Sequence, residues 1–337
     1  MAFLLIKPLG RVLLAVVVLA VVFVGWFLLQ VDPVFAGKGK EVIVTVAPGD
    51  SLSTIASDLH REGVIASPFA FRLDTLIFGA PTVQSGTYEL RKGSSFAEVK
   101  SILGNQPNVA AIDVAPGLTI KEVAFDVDGA KGVTYANTFA RDVQQDVKLS
   151  PFSNGSSIEG LIGAKTYIIT PTMTAGELAR EMVQAFNKEA ASVGLTPTTT
   201  ENDLHAYQLV TAASIVQKEA YYSRYMGKVA RVIFNRLAGG GFLQMDSTVL
   251  YYLGQDGGTV TPAMLKTNTP YNTYLYPGLT PTPICTVSKA ALKGVLHAPQ
   301  GTWLYFDTVN QQGKTLFATT FAEQLKNEAI AKRNGMS

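Results

Sequence analysis

One stretch near the N-terminus constrains this chain more than any other feature. Residues 12–29 form an unbroken apolar run of 18 residues. As an α-helix rising 1.5 Å per residue the run is about 27 Å long, close to the roughly 30 Å hydrocarbon core of a bilayer. Lys7 and Arg11 precede it, and Asp32 is the first charge after it. The positive-inside rule therefore predicts a cytoplasmic N-terminus over residues 1–11, one membrane crossing over 12–29, and an extracytoplasmic body. Trp26 and Phe27 fall near the outer end, where aromatic rings favour the interface. A cleaved signal peptide is the competing reading, because Val34-Phe35-Ala36 fits a small-x-small cleavage site. The run exceeds the usual signal-peptide core, so an uncleaved anchor is expected. A buried helix of a soluble core is the third reading.

The 337 residues give room for about two domains. Lys and Arg number 28 and Asp and Glu 26, a net charge of +2, with only 16% of residues charged. That balance excludes a strong nucleic-acid footprint and an acidic solvating tail. Without residues 1–36 the balance is 26 − 25 = +1, a near-neutral exported body. Cys285 is the single cysteine, which excludes an intramolecular disulfide and a Cys-based zinc site. His60, His205 and His297 are far apart in sequence and form no metal motif.

The fold class expected is α+β: an N-terminal transmembrane helix, a small α/β subdomain over residues 41–125, and a mixed α+β domain over 126–337. Residues 37–40 read as a polar linker. Val42, Val44 and Val46 alternate as in a half-buried strand. Pro48-Gly49-Asp50 is a turn, and Asp50 or Ser51 is placed to cap a helix through Leu59. The same logic recurs from Gly86 into a helix carrying Phe96 and Val99, and again from Val114-Ala115-Pro116-Gly117 into Val123. The rest of this stretch reads as further strands. Residues 126–157 are polar and read as a variable surface stretch. A helix follows from Thr174 to about Glu189, then a helical block from Asp203 to Leu237, broken around Tyr225 to Gly227 and ended by Gly239-Gly240-Gly241.

The segment from Val46 through Pro48-Gly49-Asp50-Ser51-Leu52 to Ile55-Ala56 resembles the start of a LysM module, a small fold that binds N-acetylglucosamine polymers. A purely structural strand–helix unit uses the same residues, so both readings stand.

Glu219 closes the segment Ser214-Ile215-Val216-Gln217-Lys218-Glu219. On a continuous helix it lies within about 60° of Ala212, Ile215, Val216 and Tyr222, at the edge of the apolar face. Gln217 and Lys218 point elsewhere. A carboxyl so placed loses hydration and its pKa rises, as a general acid working near neutral pH requires. A solvated or lysine-paired glutamate is the plain alternative. Two polar segments follow. In Gln244-Met245-Asp246-Ser247-Thr248, Asp246 or Ser247 is placed to cap the next helix. Thr269-Pro270-Tyr271-Asn272-Thr273-Tyr274 opens a proline-stiffened loop whose amide, hydroxyl and aromatic groups suit sugar binding.

Taken with Val229-Ala230-Arg231-Val232-Ile233-Phe234-Asn235-Arg236-Leu237, Gly278-Leu279 and Pro283-Ile284, these segments closely resemble the endolytic murein transglycosylase MltG (YceG-like) family, in order and spacing from about residue 41 onward. The resemblance implies a single-pass inner-membrane protein with a LysM-like subdomain and an extracytoplasmic catalytic domain. It implies cleavage of nascent peptidoglycan glycan strands to leave 1,6-anhydro-N-acetylmuramic acid ends, with cell-wall synthases as partners. It makes Glu219 the catalytic residue. Gln244, Asp246, Tyr271, Asn272 and Tyr274 are the candidate saccharide contacts. The chain departs from the family at Gln217, where Glu is usual, and at Ala164-Lys165, where Pro-Asp is usual. Near the C-terminus, Thr315-Leu316-Phe317-Ala318 and Glu323-Gln324 lack two family histidines.

A lytic transglycosylase needs one carboxyl and no activated water, whereas a usual hydrolytic glycosidase needs two carboxylates. No metal or organic cofactor is expected. Two rival classes remain: a non-catalytic peptidoglycan-binding scaffold, and a water-using muramidase with Asp246 as second carboxylate.

Overall fold

A computed structural model describes residues 8–32, 39–145, 148 and 150–336. Lys7 and the Val34-Phe35-Ala36 segment lie outside the described residues. The chain forms two compact units, one of residues 1–110 with 168–172, the other of residues 111–167 with 173–337.

In the first unit the apolar run forms α1 (Pro8–Val31). Within it Gly10–Val31 has mean hydropathy 3.1 and is unburied, long and apolar enough for a single membrane crossing. Then come β1 (Glu41–Val46), α2 (Leu52–Arg61), α3 (Pro68–Phe78), β2 (Gly86–Arg91) and α4 (Phe96–Leu103). β1 and β2 pair antiparallel from Glu41↔Arg91 to Val46↔Gly86. Val44, Ile55, Leu59, Phe71, Tyr88 and Phe96 fill one core, with Phe71 and Phe96 edge to face at 5.2 Å. Ser51, not Asp50, caps α2 through its side chain. Asp50 instead accepts the Ala47 N–H at 2.7 Å and closes the turn. α3 replaces the strands expected in this stretch. Ser67 caps it and Pro68 occupies its first turn, a pairing that favours helix entry over strand.

The chain continues with β3 (Ala110–Asp113) and β4 (Thr166–Ile169), which straddle the division between the units, and, within the second unit, α5 (Ile120–Lys131), α6 (Val133–Gln145) and α7 (Ala175–Ser192). β3 pairs with β4. The division expected at residues 125/126 falls inside α5. α6 corrects the reading of 126–157 as surface stretch: Ala136, Phe139 and Val143 recur at helical spacing among polar residues, and all three are buried. The three predicted strand–turn–helix units are β1–α2, β2–α4 and β3–α5. Each turn holds a glycine at positive φ, namely Gly49 at 88°, Gly93 at 70° and Gly117 at 98°, where an L side chain is strained.

A short hairpin, β5 (Thr200–Glu201) and β6 (Leu204–His205), leads into α8 (Ala206–Glu219), α9 (Ser223–Ala238) and α10 (Asp246–Tyr252). After a long loop come α11 (Lys289–Leu296), the antiparallel hairpin of β7 (Tyr305–Thr308) and β8 (Thr315–Ala318), and α12 (Phe321–Arg333). α8, α9 and α11 pack against one another, while α6 packs on both α5 and α7. The break in the helical block lies at Ala220–Tyr222, not at Tyr225–Gly227. Ala220 is extended (φ −89°, ψ 112°) and turns the chain, whereas Gly227 is accommodated inside α9.

Candidate active site

α8 buries nearly its whole length: Leu209 through Val216 are all inside the protein. Glu219 is its last residue, so Tyr222 does not flank it on the same helix, as a continuous helix required. Tyr222 is instead the N-cap of α9. The Glu219 carboxylate is nonetheless enclosed. Ser247 donates to its Oε1 twice, from Oγ at 2.6 Å and from the backbone N–H at 3.3 Å. Burial raises the Glu219 pKa above the ordinary carboxylate value. The Ser247 bonds work against that rise, the Asp246 charge adds to it and the Arg236 charge reduces it.

Ser247 reaches Glu219 because it lies in the first turn of α10. Gln244, at φ 51°, turns the chain into that helix. The N-cap is Met245, with no side-chain cap, so neither Asp246 nor Ser247 caps the helix as expected. Glu219 takes the orphan Ser247 N–H from another helix, and a carboxylate is favoured at a helix N-terminus. Asp246 is exposed and accepts the Tyr274 hydroxyl at 2.5 Å. Burial, then that bond to a carboxylate, hold the Tyr274 phenol well above its usual pKa.

The stiff loop supplies Tyr274 and fixes α10. Thr273 Oγ1 accepts the Met245 N–H at 3.0 Å and lies 2.9 Å from Thr248 Oγ1, while the Thr273 carbonyl accepts the Gln244 N–H at 3.0 Å. Asn272 is fully buried (0% exposed). Its Nδ2 donates to the Leu265 and Thr267 carbonyls, both at 2.9 Å, and its Oδ1 accepts the Tyr274 N–H at 3.0 Å. Its amide is spent on the loop itself, so Asn272 positions Tyr274. Tyr271 turns the other way. Its hydroxyl is 2.9 Å from Thr282 Oγ1, and its ring packs 5.2 Å from Tyr251 and 6.2 Å from Tyr252. Gln244 is exposed at the start of α10. The structure thus gathers Glu219, Asp246 and Tyr274 around the N-terminus of α10, and sends Tyr271 to the far end of that helix.

The remaining motif residues are clamps. Ser214 Oγ accepts the Ile284 N–H at 2.9 Å, and Gln217 Oε1 accepts the Ser288 N–H at 3.1 Å. Lys218 pairs with Asp256 and donates to the Gly117 carbonyl at 3.3 Å. On α9, Arg231 binds the Pro299 carbonyl at 2.7 Å, Asn235 the Trp303 carbonyl at 2.9 Å, and Arg236 the Leu304 carbonyl at 2.7 Å. Arg236 also bonds the Leu243 carbonyl just before α10. Sequence reasoning missed two site residues, Ser247 as the partner of Glu219 and Arg236 as the nearby cation. Among the described residues no group of three or more His, Cys, Asp or Glu is placed to hold a metal ion.

The YceG-like family matches residues 44–330. The chain is 28% identical over 323 residues to an endolytic murein transglycosylase of Bacillus subtilis (strain 168), covering 90% of this chain and 89% of that protein. It is 25% identical to an endolytic murein transglycosylase of Streptococcus pneumoniae serotype 2 (strain D39), covering 88% of this chain and 59% of the relative. A 2.6 Å crystal structure of a YceG-like protein from Listeria monocytogenes aligns with TM-score 0.57 and 26% identity, covering 86% of this chain and 99% of that one.

Asn272→Ala should cost about 1–3 kcal/mol, because it empties a fully buried side-chain position and removes the amide bonds to the Leu265 and Thr267 carbonyls and the Tyr274 N–H. Thermal unfolding of the full chain checks this. An unchanged midpoint with lost activity would return the Asn272 amide to substrate contact.

Proposed function

We propose that this chain, a member of the YceG-like family, is a membrane-anchored lytic transglycosylase. It cuts the bond between N-acetylmuramic acid and N-acetylglucosamine within peptidoglycan glycan strands and leaves 1,6-anhydro-N-acetylmuramic acid ends. The name shared by its B. subtilis and S. pneumoniae relatives supports the reaction class. The observation that carries the residue assignment is the part-buried Glu219 carboxyl, gripped on one oxygen by Ser247 and raised in pKa.

In the proposed reaction, protonated Glu219 donates to the glycosidic oxygen as the bond to C1 breaks, and the N-acetylglucosamine portion leaves as an alcohol. The substrate's own N-acetyl group stabilises the oxocarbenium-like charge at C1. Ionised Glu219 then removes the proton of the muramic 6-hydroxyl as that oxygen bonds to C1. The ring closes, Glu219 is protonated again, and no water is consumed. Asp246 and Tyr274, with Gln244 at the rim, orient the sugar. Asp246 lies close enough to Glu219 to raise its pKa, which supports a water-using muramidase as the second reading. The anchor supports an orientation with residues 1–11 in the cytoplasm and the site outside, beside the cell-wall synthases that deliver new strands.

Three outcomes test this reading. Glu219→Gln should keep the fold and lose about two to four orders of magnitude in rate. Asp246→Asn should lose only part, with mass spectrometry still finding anhydro ends. Reducing ends, one water heavier, would establish the muramidase instead.

Ser247→Ala removes a hydrogen bond that favours ionised Glu219, so the pKa should rise further. Cleavage needs the protonated acid and is lost as pH rises through that pKa. The alkaline limb of kcat/KM should therefore move to higher pH. A limb that stays, or moves down, rejects Ser247 as the tuning group.

Protease added to spheroplasts should digest the body and spare a membrane-held N-terminal fragment containing residues 12–29. A body protected until lysis would reverse the orientation.

A further inference from the structure

We propose that the pocket at the C-terminal end of α10 is a second saccharide subsite, which holds a pyranose ring of the glycan strand removed from the scissile bond, stacked on Tyr252 and Phe125 above the Tyr251–Glu159 pair. This inference rests on the transglycosylase reading and adds where the strand runs. The cavity measures about 590 Å³ and lies wholly within the second unit.

Its floor is a built polar site. Glu159 is only 2% exposed. Its Oε2 accepts the Tyr251 hydroxyl at 3.2 Å, and its carboxylate accepts the Ile120 N–H at 3.1 and 3.3 Å. Burial raises the Glu159 pKa to about 7, and the Ile120 and Tyr251 bonds hold the carboxylate in place beneath the cavity. The walls are aromatic. Tyr252 stacks beside Tyr271 at 6.2 Å. Phe125 is 76% exposed and Tyr252 52% exposed, so neither ring is committed to the core.

Three of the ionic groups lining the cavity are already engaged, and the exposed Lys121 stands at its rim. Lys218 pairs with Asp256, and the Glu122 carboxylate closes the capping box of α5. What remains for a ligand is aromatic faces and hydroxyls beside that one lysine, which suits the stacking and hydrogen bonding of a polyhydroxy ring. Position favours the same occupant. Ser247 and Tyr252 lie on one rigid helix, five residues and about 7.5 Å of rise apart, a span that a short run of pyranose rings can follow. The stiff loop reaches both ends, with Tyr274 beside Asp246 and Tyr271 against Tyr252.

The test uses the full chain in detergent carrying Glu219→Gln, so that strands bind without being cut. Peptide-free glycan strands of graded length are titrated by calorimetry. Phe125→Ala and Tyr252→Ala should each weaken binding of long strands by about three- to tenfold, with Tyr252→Phe restoring it. Strands too short to span from Glu219 to the pocket should bind all variants alike. Phe125, exposed for three-quarters of its surface, carries the test should Tyr252→Ala lower the thermal midpoint. Unchanged affinity of the double alanine variant at every length overturns the subsite, as does an effect seen only with strands bearing stem peptides. If the native chain still yields anhydro ends in either case, the enzyme reading stands and the subsite alone falls. A native chain that neither binds nor cuts strands sinks both.

Discussion

The bond from Ser247 to Glu219 ties the last residue of α8 to the first turn of α10, and the site depends on it. Two effects oppose each other there. Burial drives the carboxyl toward its neutral form, and hydrogen bonds to the charged form pull it back. A charge-assisted hydrogen bond contributes about 1.5–3 kcal/mol, while several kcal/mol are lost when a carboxylate leaves water. Desolvation wins, so the pKa ends above its ordinary value. The same contact gives the helix N-terminus a partner that Met245 cannot supply.

That contact is only as stable as the segments carrying it. α8 is fixed by its buried face and by Ser214 and Gln217, which grip residues 284 and 288. α10 is fixed by the stiff loop through Thr273, and Asn272 holds the loop to itself. Arg236 braces the approach to α10 and the backbone at Leu304, just before β7, together. The polar residues that mark the sequence are therefore mostly fasteners between backbone segments. Few of them face a substrate.

This explains what the sequence could and could not reveal. The apolar run, the three strand–turn–helix units and the buried edge position of Glu219 follow from periodicity and turn chemistry, which are local. α3 and α6 depart from the expected strands and surface stretch, although Ser67-Pro68 and the spacing of Ala136, Phe139 and Val143 are local signals of both. The role of Ser247 was not legible, because its partner lies 28 residues away on another helix. For the same reason Asn272 read as a sugar contact. An amide in a polar loop looks the same in sequence whether it faces a groove or two carbonyls seven and five residues back.

The buried Glu159 and the part-buried Glu219 show how one local solution serves different ends. Glu159 and Glu219 each accept a backbone N–H from the first turn of a helix, and burial raises both. Glu159 spends both oxygens, with Ile120 on each and Tyr251 on Oε2. At Glu219 both Ser247 bonds fall on Oε1. Among the described residues, no hydrogen bond falls on Oε2. Held on one oxygen and without a hydrogen bond on the other, Glu219 has the arrangement that the proposed acid, acting later as base at the same sugar, requires.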